Sequence, residues 1–329
     1  MGERAWLVPS VVLTICSGAI ALLIMPNHSG VLPALGLLPL WLFVSAALAS
    51  IYAFLRMVFA RVESPFAHIA RTVREDWRAL LMIGAGITVA GLNMIAFMWT
   101  KPLLNHFVPF WADPYLARVD RMLFLGRDPW TLLDWLNSFG TAIFYHRGWF
   151  ACMIVTLLVV LTRPPSPRKS AIMMSYFLLW SVVGPVIHIL VPAAGPVFFE
   201  KLGYGSDFAG LHVPAEMTQM SDYLWTVYTG EQFGPGSGIS AMPSLHIATT
   251  AWMLIAIYVL ARRWTWAIAL PGFLIFLLSI SLGWHYAVDG IVGALCALGC
   301  YWLCLRIYQP QPKRMPGPSA DLTASAAFD

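Results

Sequence analysis

Two short polar clusters interrupt an otherwise apolar C-terminal region: Ser240-Ala-Met-Pro-Ser-Leu-His246 and His285-Tyr-Ala-Val-Asp289. His285 and Asp289 stand four residues apart at the start of an apolar run, a spacing that sets their side chains one above the other on a helix face. A carboxylate so placed can hold one imidazole tautomer, raise the ring's basicity and stabilise the cation formed when the ring attacks an electrophile. His246 becomes the natural second participant. Pro243 suits the first position of a helix, and Gly234-Pro-Gly-Ser-Gly238 before it is flexible, so free backbone N–H groups near Ser244 and His246 could face an anion. Two histidines, one carboxylate and an anion nest point to phosphoryl transfer. The competing reading of each, a buried structural pair for His285 and Asp289 and an interfacial residue for His246, does not explain why all three fall at the ends of helices sharing one face.

The elements between the clusters account for that shared face. Ile247 to Ala261, the basic pair Arg262-Arg263 and Trp264 to Leu282 read as two membrane-length helices that return the chain to the side it left. The whole chain has this character: 329 residues, 59% hydrophobic and 11% charged, with a mean hydropathy of +0.71. That composition excludes a soluble domain and a disordered chain, and identifies a polytopic membrane protein. Apolar runs near Trp6–Met25, Leu32–Leu55, Leu80–Trp99, Ala142–Leu161, Ala171–Val191, Ile247–Leu260, Trp264–Leu282 and Asp289–Ile307 make about eight spans. The expected fold is all-α, a helical-bundle phosphatase or phosphotransferase core with short interfacial helices.

Arginine and lysine collect after the second, fourth, sixth and eighth runs, at Arg56 to Arg78, Arg163 to Lys169, Arg262-Arg263 and Arg306 to Arg314. By the positive-inside rule both termini are expected in the cytoplasm and both polar clusters outside it, in a bacterial inner membrane with a periplasmic site. The net charge of +4 follows from this asymmetry, and no nucleic-acid-binding patch is visible. The expected organisation is a transmembrane hairpin over 1–60, a cytoplasmic interfacial helix over 61–79, a six-helix catalytic core over 80–308 and a disordered tail over 309–329. Trp6–Met25 lacks a small-residue cleavage pattern and reads as a retained helix. The five cysteines sit in apolar runs and read as packing residues.

The segments Ala241-Met-Pro-Ser-Leu-His246 and His285-x-x-x-Asp289, with Gly293 one turn on, closely resemble two signature motifs of the type 2 phosphatidic acid phosphatase superfamily. The form Met-Pro-Ser-Leu-His is more similar to the inositol phosphorylceramide synthase branch, whose members transfer inositol phosphate, than to lipid phosphatases carrying Pro-Ser-Gly-His. The resemblance implies that His285 is the nucleophile forming a phosphohistidine, Asp289 its orienting base and His246 the acid that protonates the leaving oxygen. Ser244 would contact the phosphate, with Tyr286 beside it. No cofactor or metal is implied, because the histidine does what metal-bound water does elsewhere. One family element is missing: the pattern of Lys, six residues, then Arg-Pro finds here only Arg163-Pro164, with Thr156 at the lysine position.

Arg147, at the opening of the fourth run, is the expected substitute clamp, since arginine binds phosphate bidentately; snorkelling to headgroups is its competing reading. His146 reads as interfacial, with a place behind the catalytic residues as its alternative, and His188 as a satisfied intramembrane histidine, with a place on the cavity wall as its alternative. Pro192-Ala-Ala-Gly-Pro196 resembles the loop found here in synthase-like members and is expected to line the cavity through Gly195 and Pro196. Asp113-Pro114 and Asp128-Pro129 each read as an N-cap followed by proline at the first helical position. Lys201, Asp207, His212, Glu216 and Asp222 read as solvated loop charges. The expected partners are the bilayer, a phospholipid or lipid phosphate substrate, and an alcohol or water acceptor. The acceptor stays open: an alcohol gives a transferase, water gives a phosphatase, and a lipid-binding or transport protein that lost turnover is a third reading.

Overall fold

The computed structural model describes residues 2–138, 140–230 and 233–309, and among them the chain is helical with no strand. In order the helices are α1 (Arg4–Ile24), α2 (Leu37–Phe59), α3 (Pro65–Glu75), α4 (Trp77–Phe107), α5 (Asp113–Leu123), α6 (Trp149–Leu161), α7 (Pro167–Leu178), α8 (Gly184–Leu190), α9 (Ala215–Thr229), α10 (Leu245–Leu260), α11 (Thr265–Ser281) and α12 (Ala287–Tyr308). A π-helical turn at Phe144–Gly148 leads into α6, and another at Leu179–Val183 joins α7 to α8. Seven helical stretches among the described residues are long and apolar enough to cross a bilayer, so this is an integral membrane protein. The tail expected beyond Gln309 lies outside the described residues.

The remaining apolar helix, α10, has 16 residues. At 1.5 Å per residue it rises about 24 Å, short of the roughly 30 Å hydrocarbon layer. The deficit lies at the end that bears His246, where α10 is preceded by irregular backbone with Ser237, Ile239, Ala241, Met242 and Ser244 all buried. Non-helical chain at such depth is stable only where protein or a polar cavity surrounds it. The helix begins at Leu245 with Ser244 as its N-cap, so Pro243 precedes the cap instead of occupying the first helical position.

α10 lies at the centre of the bundle. It meets α12 where Gly290 and Gly293 carry no side chain: a Cβ at Gly293 would sit 2.5 Å from the Ser244 carbonyl oxygen, and one at Gly290 2.6 Å from the Phe276 ring. That approach presses the start of α12 against the start of α10. On its other side Trp252 is fully buried and donates its indole N–H to the Ile172 carbonyl at 2.8 Å. Away from the site, buried Lys169 is satisfied by Glu3 and by the carbonyls of Leu161 (2.9 Å) and Arg163 (2.8 Å), fastening α1 to the α6–α7 turn. None of the residues of α3 is buried.

Two local expectations are corrected. Ala112, not Asp113, holds the N-cap position of α5, while Asp128 stands at the N-cap before the turn Pro129–Leu132 as expected but makes no capping hydrogen bond with its side chain. Asp113 is the first residue of α5, and its carboxylate accepts from Ala194 and Gly195 instead; Asp128 pairs with Arg121 at 2.7 Å. Buried backbone N–H groups without another acceptor outcompete a helix end that water can satisfy. The loop expected after Phe199 contains α9, whose Met217, Ser221, Leu224 and Val227 face inward.

Candidate active site

His285 occupies the turn between α11 and α12, with its N–H bonded to the Ser279 carbonyl at 3.0 Å. Its Nδ1 lies 2.9 Å from the Ala241 carbonyl oxygen and 3.6 Å from Asp289 Oδ2. A carbonyl only accepts, so Nδ1 carries the proton and Nε2 keeps its lone pair. The close acceptor is therefore a backbone oxygen from the other polar cluster, with the carboxylate just behind it. Asp289 is fully buried, and its Oδ2 accepts from the Tyr286 N–H at 2.9 Å, closing the first turn of α12. The same carboxylate thus serves the helix end and the imidazole. Burial holds the His285 pKa down to about 3, so the ring is neutral across the physiological range.

The His246 ring stands 6.4 Å from that of His285, centroid to centroid. It is stacked on Tyr145 at 4.9 Å and tilted against Trp149 at 4.3 Å, and Trp149 donates its indole N–H to the His246 carbonyl at 3.0 Å. Two aromatic faces fix its plane, while among the described residues no hydrogen bond engages its ring nitrogens. Both histidines line one cavity of about 390 Å³. His146 lines it too, 5.8 Å from His246, which corrects the interfacial reading of that residue. The π turn at Phe144–Gly148 is what carries Tyr145 and His146 inward together. The wall is otherwise largely apolar, with Met94, Phe97, Trp180 and Leu224, and the loop Pro235–Ser240 closes one side.

The remaining expected residues fall into different places. Ser244 is fully buried and its hydroxyl caps α10 by accepting from Ile247 N–H at 3.4 Å, while Pro243 and Leu245 on either side face the cavity. Arg147 is exposed and is not among the lining residues. The loop 192–199 supplies wall through Ala194 and Phe198. Gly195 instead donates its N–H to Asp113 at 2.8 Å and holds φ at +102°, where any Cβ would collide with the Trp284 carbonyl. Pro196 sits behind His285, beside Tyr286. Tyr286 is buried and donates its hydroxyl to Asp113 at 3.0 Å. His188 is satisfied between Ser240 Oγ (2.9 Å) and Asn105 (3.3 Å).

Sequence reasoning missed a brace beneath the site. Asp113 gathers Ala194, Gly195 and Tyr286, and Asp120, two turns along the same face of α5, accepts from Ala287 N–H at 2.6 Å and Val288 N–H at 3.0 Å. A carboxylate at the start of α12 satisfies free N–H groups and opposes the helix dipole. Burial pushes both carboxyls up, Asp120 to about 6, against the opposing pull of those hydrogen bonds. The face Asp113, Leu116, Ala117, Asp120 has helical spacing and was readable as an inward stripe. Lys101, which also lines the cavity, had no such signal, being one residue before a proline inside a long apolar run. Among the described residues no group of three or more His, Cys, Asp or Glu side chains could hold a metal ion.

No curated protein and no solved structure matches this chain. The family model described as PAP2 superfamily matches residues 114–303, more than half of the sequence; the match takes in Asp120, both histidine clusters and most of the cavity wall, and begins one residue after Asp113. A buried histidine paired with a carboxylate across from a second histidine, within an all-helical membrane bundle spanned by that match, places the chain in the PAP2 superfamily of phosphatases and phosphotransferases.

Proposed function

We propose that the protein is a membrane lipid phosphotransferase of the inositol phosphorylceramide synthase type, working through a phosphohistidine on the extracytoplasmic side. The observation that carries this reading is the state of His285: Nδ1 is tied to the Ala241 carbonyl, leaving the Nε2 lone pair for a substrate in the cavity shared with His246. Nε2 attacks phosphorus, and the bond from phosphorus to the lipid oxygen breaks. His246 in its protonated form gives its proton to that oxygen. The neutral His246 then takes a proton from the incoming hydroxyl as its oxygen attacks phosphorus, and the bond from phosphorus to Nε2 breaks with its electron pair returning to the ring, which restores His285. Asp289 at 3.6 Å stabilises the positive ring while the phosphoryl group is attached. The scheme needs no metal, because the nucleophile is the side chain itself.

Transfer to an alcohol is favoured by Leu245, which adds an apolar wall to the cavity where lipid phosphatases of the family carry glycine. The orientation rests on the arginines and lysines that alternate between the loops. The test is turnover of a labelled phospholipid panel by detergent-purified protein, with and without inositol and other alcohols, beside His285→Ala. Headgroup transfer that requires the alcohol is the expected result. Free phosphate released without it would make the protein a phosphatase, and activity surviving in His285→Ala would overturn the phosphohistidine.

A further inference from the structure

We infer that Lys101 is the cation that meets the phosphate oxygens in this cavity, in place of the arginine and lysine clamp missing from the sequence; the inference rests on the phosphoryl-transfer reading above. Among the described residues that line the cavity, Lys101 is the one lysine or arginine, and there is no aspartate or glutamate. Its neighbours there are His146, His246 and His285. Among the described residues no hydrogen bond or ion pair engages its Nζ. The other two lysines within the described residues are both paired, Lys169 with Glu3 and Lys201 with Asp222 at 2.7 Å. An ammonium at this depth is costly unless an anion joins it, and the described residues of the lining offer none.

The surroundings hold the lysine in place. Gly238 lies against it at φ +89°, and a Cβ there would stand 2.9 Å from Lys101 Cγ and 2.7 Å from the Pro102 nitrogen. Only glycine lets the Pro235–Ser240 loop pack on the lysine stem. The positive charge also reaches the nucleophile: after burial, Lys101 is among the influences that keep His285 neutral. Beyond the polar end, Met94, Phe97, Met98, Trp180 and Leu224 offer an apolar lining. The ligand that satisfies both halves is an amphiphile with a phosphate ester at one end. Arg147, exposed outside the cavity, is not part of this contact.

The test compares the full-length wild type with Lys101→Met and Lys101→Arg in detergent. With a short-chain phosphatidic acid or phospholipid turned over by the wild type, kcat/KM is expected to fall about ten- to a hundred-fold in Lys101→Met, the range for losing a charge-assisted hydrogen bond, and to recover most of that in Lys101→Arg. Unchanged kcat/KM in Lys101→Met would overturn the inference. If the wild type turns over no lipid, the phosphoryl-transfer reading fails by itself, and inorganic phosphate binding by calorimetry still decides Lys101. Binding lost in Lys101→Met supports an anion site, and equal binding refutes it. A third measurement needs no variant. Inorganic phosphate and the short-chain lipid are each added before acetic anhydride labelling, read by peptide mapping. Slower labelling at Lys101 but not at Lys201 is expected, with protection by lipid alone identifying a lipid headgroup site and protection by both a site for phosphate itself. No protection by either would count against the inference even if Lys101→Met failed to fold.

Discussion

Two regions a few residues apart treat their polar groups in opposite ways. In the brace, the carboxylates of Asp113 and Asp120 are met by four backbone N–H groups and the Tyr286 hydroxyl. Around the cavity, polar atoms stay unmatched: among the described residues the Tyr145 hydroxyl, His146 Nε2 and the indole N–H groups of Trp180 and Trp284 are buried without a partner. Buried polar groups are ordinarily paired, and each exception asks for a reason. The brace fixes shape and leaves nothing to give. On the cavity wall itself, Lys101 Nζ and the His246 ring nitrogens are left uncommitted among the described residues, as a site must if its ligand is to supply the missing partner.

That contrast is open to attack in order of effect. His285→Ala removes the proposed nucleophile and is expected to lower kcat by about 10⁴-fold or more, measured with any substrate the wild type turns over, and to abolish acid-labile phosphate on the protein. His246→Ala removes the proposed proton donor and is expected to cost roughly 10²- to 10⁴-fold in kcat while sparing the melting temperature in detergent. Asp113→Ala should do the reverse at first order. It leaves two buried N–H groups and a hydroxyl without an acceptor, at a cost of about 3 kcal/mol in stability, and a melting temperature equal to wild type would show that the brace is not holding the site.

Smaller effects sharpen the comparison. Because burial raises the Asp120 pKa above the ordinary carboxylate range to about 6, its ionisation opposes folding. Its stabilising contribution is fully present below the unfolded pKa and is lost as pH rises through about 6. The wild type should therefore gain melting temperature relative to Asp120→Asn as pH falls from about 7 to about 4. For His285 the sign is opposite, since its pKa is lowered to about 3. The ring stays unprotonated well below the pKa of a solvated histidine, so its carbethoxylation by diethylpyrocarbonate, followed by peptide mapping, should not decline between pH 7 and pH 5. Arg147→Ala is expected to change kcat/KM by less than about two-fold, as an exposed residue outside the cavity; a loss of about ten-fold would return Arg147 to the phosphate.

Much of this was legible along the chain. Helical hairpin periodicity, the length of the apolar runs and the His-x-x-x-Asp spacing are local properties, set by 3.6 residues per turn and by the thickness of a bilayer. They led from Ser240–His246 and His285–Asp289 to one face of one bundle, and the two rings do meet at 6.4 Å. The same local reading failed where a residue's partner lay far away. Asp113 reads as a helix cap from its own neighbours, but its carboxylate accepts from residues 81 and 82 positions later. Helix α9 was missed because a polar amphipathic stretch has no membrane-length signal, although Met217, Leu224 and Val227 keep helical spacing.

The sequence by itself determined a membrane-embedded helical bundle and brought His246, His285 and Asp289 forward as candidates for phosphoryl chemistry, because each of those depends on the identity and spacing of near neighbours. Only the tertiary structure decided which oxygen holds His285 Nδ1, a carbonyl 44 residues away. It alone showed that His146 and Lys101 share the cavity while Arg147 does not, and that Asp120 caps a helix 167 residues further on. Contacts across such separations have no period in the sequence; they arise when α4, α5, α10 and α12 pack, and the backbone groups buried by that packing take whichever acceptor is within reach.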